Sequence, residues 1–323
     1  MTRTRMAALV LVVAWSASCL IGGCGGESSG PSGAPDNLQA GPTPVPGRIA
    51  FCQRSGGLDT DFVLKVVNSD GTGLKKLVDT NYNPMWPTWS PDGKRIAFQG
   101  QTSQFPGSSI YVLTLATKKI TRVSDGMYPN WSHDGHSILV TREDNTSTRH
   151  LWRMTPAGTS LIQLTDGAEG DYDGCWTSGD NRIVYASNRD WYVNYLYSEI
   201  FTQRTVQGAQ VRRMTQHPGN DEMPVASPTT DQVVYCSSLD FNWELVLTDW
   251  TAENSAGIRL TQNTADDVDP AWSPDGTQIV FASDRQRADR FELYVTKATG
   301  GRATHLTNTQ TSHRFPAWGP PAQ

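Results

Sequence analysis

An all-β fold, a six-bladed β-propeller with four antiparallel strands per blade, is what the sequence predicts, and three observations carry that prediction. An anchor residue recurs at near-constant intervals, a hairpin with the same turn chemistry follows it, and the two ends of the chain are complementary parts of one repeat. Trp89, Trp131, Trp176, Trp272 and Trp318 each stand two residues after a Pro or Gly, and Ala226 fills the matching place in "PVASPTTDQVVY". Successive anchors are 42, 45, 50, 46 and 46 residues apart. Yet Ile96, Ile138, Ile183, Val233 and Ile279 always follow their anchor at the same offset, as do Phe98, Val140, Tyr185, Tyr235 and Phe281 two positions later. Fixed offsets within variable intervals mark a rigid hairpin joined by looser loops. No helical period is sustained anywhere in this region.

The elements follow in order. In "PTWSPDGKRIAFQG" and "PAWSPDGTQIVFASDR" the first strand ends at the Trp. Pro then presets φ for the first central position of a type I turn, Asp suits the second, and Gly takes the positive φ that follows. The Ile-x-Phe run is the second strand, and both strands are expected to alternate with period two. Third strands are expected at Ile110–Leu113, Leu151–Met154, Leu245–Leu247 and Leu293–Val295. Fourth strands are expected to end on Leu77, Val123, Leu164, Met214, Leu260 and Leu306, usually with Thr or Ser next. "GRIAFCQ", from Gly47, begins at a second strand, while residues 316–320 form a first strand with nothing after it. Pairing the two closes the ring and removes edges that would invite aggregation. Residues 47–323 are thus assigned to the propeller.

Ahead of it, residues 1–23 read as a signal peptide, with Arg3 and Arg5 before the apolar run Met6 to Ile21. The run ends in "LIGGC", which resembles a bacterial lipobox with Cys24 as the lipidated, palmitate-bearing residue; an ordinary secretory signal is the other reading. Residues 24–46, rich in Gly, Pro and Ser, are expected to be a flexible tether reaching on the order of 25 Å. The localisation this predicts is the cell envelope, on an outer membrane facing the periplasm where the cell has one. Gly26 to Gly30 matches G-x-S-x-G literally, but no strand precedes it as a nucleophile elbow requires. Cys52, Cys175 and Cys236 are expected to be buried free thiols, because equivalent positions in different repeats lie far apart.

A net charge of −5 and the absence of Lys/Arg clusters with interleaved aromatics argue against nucleic acid as a partner. There is no H-E-x-x-H, P-loop or nucleophile elbow, and no catalytic residue or metal ligand is assigned. His133 and His136 flank the turn "SHDGH" and read as solvated turn residues.

The loops from each fourth strand to the next first strand are expected to ring one mouth of the central channel. Three residues before each anchor stand Trp86, Tyr128, Asp173, Met223, Asp269 and Phe315; five before stand Pro84, Gly126, Asp171, Asp221, Asp267 and His313. This predicts a divided rim, aromatic over blades one to three and acidic over blades four to six, with Trp191, Tyr192, Tyr195, Phe241 and Trp243 added by long loops. Two readings compete. The aspartates cap loop backbone and the aromatics pack between blades, or the rim binds a peptide or sugar with aromatics as rigid anchors. "DYDG" at Asp171 to Gly174 and "DDVD" at Asp266 to Asp269 are candidate Ca²⁺ ligands without the full EF-hand spacing; no other cofactor is indicated.

The pattern PxWSPDGxxIxF…IYV…LT resembles the propeller repeat of the TolB family, whose namesake is the periplasmic component of the Tol-Pal envelope system. The resemblance spans Gly47 to the C-terminus and implies six blades. It also implies a structural role for Asp221 and Asp267, since an Asp at that offset belongs to the family repeat. TolB proteins carry an additional N-terminal α/β domain, in whose place this sequence has its tether, and related propellers occur beside peptidase and glycan-lyase chemistry. The expectation is a monomeric, non-catalytic envelope lipoprotein, membrane-attached through Cys24, that binds an envelope protein or a peptidoglycan-associated partner. The alternative is a glycan-active enzyme, a metal-assisted polysaccharide lyase or hydrolase using His217 or His313 and the Asp cluster, or a carbohydrate-binding protein.

Overall fold

Each blade begins with the hairpin that the repeat encodes. In the Ser-x-Asp-Gly turns, where x is Pro91, His133 or Pro274, Gly93, Gly135 and Gly276 donate to the carbonyls of Ser90, Ser132 and Ser273 at 2.8–3.1 Å, with φ of +65° to +75°. The Ser is as specific as the Gly. Its hydroxyl donates to the turn Asp at 2.6 Å and accepts the backbone N–H of Arg95, Ser137 or Gln278 at 2.9 Å. The same carboxylates also accept the N–H two residues on, and these contacts hold Asp92 and Asp134 below the usual carboxylate range.

The computed structural model describes residues 43–55, 61–105, 107–189, 197–216, 218–239, 242–251, 253 and 257–321. These form six four-stranded antiparallel sheets. Blade one consists of His313–Gly319, Arg48–Arg54, Phe62–Asn68 and Lys75–Val78. Blade two is Met85–Trp89, Arg95–Gly100, Ser109–Thr114 and Lys119–Asp125; blade three is Met127–Trp131, Ile138–Glu143, Arg149–Met154 and Ile162–Gln163. Blade four is Asp171–Trp176, Arg182–Ser187, Glu199–Arg204 and Arg212–Arg213. Blade five is Asp221–Ala226, Gln232–Ser237, Glu244–Asp249 and Ile258–Arg259; blade six is Asp267–Trp272, Gln278–Ser283, Glu292–Lys297 and Thr304–His305. Closure occurs as the termini predict: His313–Gly319 pairs with Arg48–Arg54, Arg48 opposite Gly319 and Gln53 opposite His313.

The second strands depart from simple alternation. Ile49, Ala50 and Phe51 in blade one, and Ile279, Val280 and Phe281 in blade six, are all fully buried. Each sheet is covered on both faces by its neighbours, so a mid-blade strand has no solvent side and reads as a continuous apolar run. The fourth strands in blades three to six are only two residues long. Leu164, Met214, Leu260 and Leu306 follow directly and donate to the third strand at 2.8 Å. The Thr after each then accepts a third-strand N–H through its hydroxyl at 2.9–3.0 Å, replacing a ladder carbonyl. Such short outer strands offer little edge for another chain.

The anchor indoles join blades. Nε1–H of Trp89, Trp176 and Trp272 donates to the carbonyl of Ala317, Asn130 and Val225, each one residue before the neighbouring blade's anchor, at 2.8–3.1 Å. Arg48 and Arg95 lie over the Trp89 and Trp131 rings at 4.6 and 4.7 Å. Cys52, Cys175 and Cys236 are buried and free. Among the described residues no helix is long and apolar enough to cross a membrane.

Candidate functional site

Every innermost strand is irregular at the same place. Trp86, Tyr128, Asp173, Met223, Asp269 and Phe315, three residues before the anchors, all have φ between +46° and +54°. In each blade the strand pairing shifts register around them. The next residue is Pro in five blades, without an N–H for the ladder, and Gly174 in the sixth. A left-handed conformation costs a residue bearing a side chain about 1–2 kcal/mol. Six such residues form one ring in the wall of the central channel.

The channel lumen is about 390 Å³. Its wall runs from these six residues along the anchors to the turn prolines Pro91, Pro228, Pro274 and Pro320, and includes no residue four or five before an anchor. The three-before residues thus line a lumen that extends to the turn prolines, apart from the five-before residues. The chain arrives at the ring from the turn side: Gln278, beside the blade-six turn, donates to the Thr43 carbonyl at 2.6 Å.

One arc of the ring is aromatic. Trp86 meets Tyr128 edge-on at 4.6 Å and Phe315 at 4.4 Å between centroids. The other arc carries acids. Asp269 receives Arg314 Nε at 2.5 Å and the Phe315 N–H at 3.0 Å. Asp173 likewise accepts the backbone N–H of Met223, so each acid clasps the ring residue of the next blade. Burial, then the nearby Glu222, pushes the Asp173 carboxyl up to about 8, against the opposing pull of Arg149. Glu222 is also raised by burial, and accepts from Ser198 at 2.8 Å and from Tyr172 Oη at 3.3 Å.

The five-before aspartates have a different setting. Asp171, Asp221 and Asp267 are wholly buried within their blades, off the lumen. Arg189 donates to Asp171 at 2.8 Å and Arg285 to Asp267 at 2.9 Å, and both guanidiniums lie over aromatic rings. With Asp269 on Arg314 and Asp266 accepting the Trp243 N–H at 2.9 Å, the acids of "DYDG" and "DDVD" are directed to different partners rather than to one shared ion. Among the described residues no group of three or more His, Cys, Asp or Glu is placed to hold a metal.

His313 is also buried off the lumen, bonded to Thr307 at 2.8 Å and Thr309 at 3.0 Å. His133 lines the lumen at its turn end, with Nδ1 2.9 Å from Asp180, whose carboxylate also accepts the His133 and Asp134 N–H groups across the blade boundary. It is thus a half-buried latch between blades, while His136 is exposed at the turn as expected. Trp243 packs in the core. Trp191, Tyr192, Tyr195, Phe241 and His217 lie outside the described residues, as do the signal sequence and Cys24. Glu222, Tyr172 and Arg314 escaped sequence reasoning. Each adjoins a ring position, and a search of the neighbours of the three-before series would have found them.

The TolB beta propeller domain family matches residues 43–322. The Tol-Pal system protein TolB of Methylococcus capsulatus is 39% identical over 79 residues, 24% of this chain and 18% of that protein. The crystal structure of TolB from Acinetobacter baumannii superposes with a TM-score of 0.72 at 22% identity, covering 85% of this chain and 67% of that one. A putative TolB from Agrobacterium tumefaciens gives a TM-score of 0.65 at 18% identity, over 82% and 90% of the two chains. The matched stretches span less than half the length of the curated relatives. With a family match over residues 43–322, which hold all six of its sheets, the chain belongs to the TolB β-propeller domain family.

Proposed function

We propose that this protein is a non-catalytic scaffold of the cell envelope that takes a segment of a protein partner into the turn-face opening of its channel. The observation that carries this reading is the ring of six outlier residues. Their strain is local and repeated, and it places large aromatic residues on a lumen whose wall mixes prolines and tryptophans with Ser, Thr and Asn. Rigid aromatics anchor a ligand with little loss of side-chain freedom. The similarity to proteins named for the Tol-Pal system supports an envelope setting. Attachment through lipidated Cys24 and a short tether fits that setting, as does a partner that is itself peptidoglycan-associated.

Pull-down from intact envelopes with wild-type protein and with Trp86, Tyr128 and Asp173 substituted together tests the reading. A partner lost on substitution supports it; a partner retained unchanged counts against it. Incorporation of labelled fatty acid into wild type but not Cys24→Ala tests the anchor.

A further inference from the structure

The two acids of the ring have different surroundings. Asp269 is neutralised by Arg314, which also lies over Phe315 at 5.0 Å. Asp173 forms no ion pair among the described residues. The other groups acting on it are the Glu222 and Asp269 carboxylates and the Arg149 guanidinium. It faces the lumen next to Tyr128, which packs against Trp86, which packs against Phe315. A carboxyl group without an ion-pair partner, beside three aromatic rings and kept protonated by burial until a cation displaces the proton, lacks one component. A cation there would meet π surface on one side and a carboxylate on the other, shielded from water.

We infer that the inner end of the channel is a binding site for an ammonium group, the tip of a lysine side chain carried by a protein segment that enters from the turn face. This rests on the peptide-binding reading above and specifies its ligand. A lysine fits better than an arginine. Its compact charge on an unbranched stem suits a lumen walled by prolines and anchor tryptophans, where the methylenes lie against apolar surface. Tyr128 and Trp86 supply the π faces; Asp173 releases its proton to solvent as the ammonium binds and becomes the counter-charge, with the Glu222 carboxyl group behind it.

The test uses the full chain and blocked tripeptides, alanine–X–alanine with both ends capped, where X is lysine, acetyl-lysine or norleucine. Binding is read by calorimetry and by the fluorescence of the lumen tryptophans. The lysine peptide is expected to bind about tenfold more tightly than the other two. Asp173→Asn keeps the shape, and Asn tolerates the left-handed backbone at this position. It is expected to reduce the lysine preference to about twofold or less while leaving norleucine binding in place. Asp70→Asn, on an exposed turn of blade one, should leave the preference unchanged.

Equal binding of lysine and norleucine peptides to the wild type would overturn the ammonium site while leaving the channel a peptide site. Survival of the preference in Asp173→Asn would overturn it too. Failure of every peptide to bind would overturn both readings. Choline is included as a probe of lipid headgroups; its binding in place of the lysine peptide would overturn the assignment to a protein partner.

Discussion

At the scale of single residues, equivalent anchors are not energetically equivalent. Trp272 gives its indole N–H to Val225 at 2.8 Å, whereas the Trp131 Nε1 is buried without a partner. Trp272→Phe removes this bond between blades and should destabilise the fold by about 0.5–1.5 kcal/mol beyond the loss of ring area. Trp131→Phe should lose mainly area, so urea unfolding should show the larger effect at position 272. Asp173 gives a pH signature. Its folded pKa of about 8 lies above the ordinary 3.8, so the folded protein holds this proton while the unfolded chain releases it. The contribution of this group to stability is full below pH 4, falls as pH rises toward 8, and is level above that. Asp173→Asn removes that slope. Unfolding midpoints of the two proteins should therefore diverge between pH 4 and 8, with the variant gaining relative to wild type. The sequence located this residue through its offset from Trp176. It could not show that Asp173 lacks a guanidinium while Asp269 has one, because Arg314 and Asp269 are 45 residues apart.

At the scale of the element, the hairpin was legible because its turn chemistry is local. Pro, Asp and Gly act within four residues, and the structure adds only the Ser hydroxyl that ties the turn together. The outer strands were legible as a pattern without a reason. The Thr after each aliphatic residue becomes intelligible only across the sheet. Thr307 accepts the Leu293 N–H at 2.9 Å and donates to the fully buried Glu292 at 3.1 Å. Thr307→Val has nearly the same shape and removes both bonds. It also removes the bond to His313 at 2.8 Å, and should destabilise the protein by about 2–4 kcal/mol, since three buried polar groups lose a partner. A loss comparable to an exposed Thr→Val change, measured by denaturant midpoint, would show that the blade does not depend on this bridge. Continuous burial of the second strands was also beyond the sequence reading. It comes from neighbouring blades covering both faces, which is a property of the ring rather than of any strand.

At the scale of the molecule, closure makes six similar sheets one cooperative unit. His313–Gly319 supplies the inner strand of blade one, and its Ala317 carbonyl receives Trp89 of blade two. Removing residues 313–323 strips blade one of that strand and exposes the edge of Arg48–Arg54. The truncated chain should lose its single sharp thermal transition and associate on size exclusion, while the full chain melts as one unit. The whole-molecule view also relocated the candidate site. Spacing alone placed the acids three and five before each anchor on one loop-face rim. The bulge separates them, sending the first set into the lumen and the second into blade interiors beside Arg189 and Arg285. No one-dimensional pattern predicts that division, because it depends on a positive φ at residues that do not advertise one.

The inner end of the channel is proposed to receive part of a partner. A photo-activated crosslinking residue placed at Trp86 on the lumen, or at Val206 in the exposed connection between the third and fourth strands of blade four, tests this most directly in intact cells. A discrete adduct from position 86 and none from position 206 is the predicted result. Adducts from position 206 alone, with position 86 silent, would contradict it.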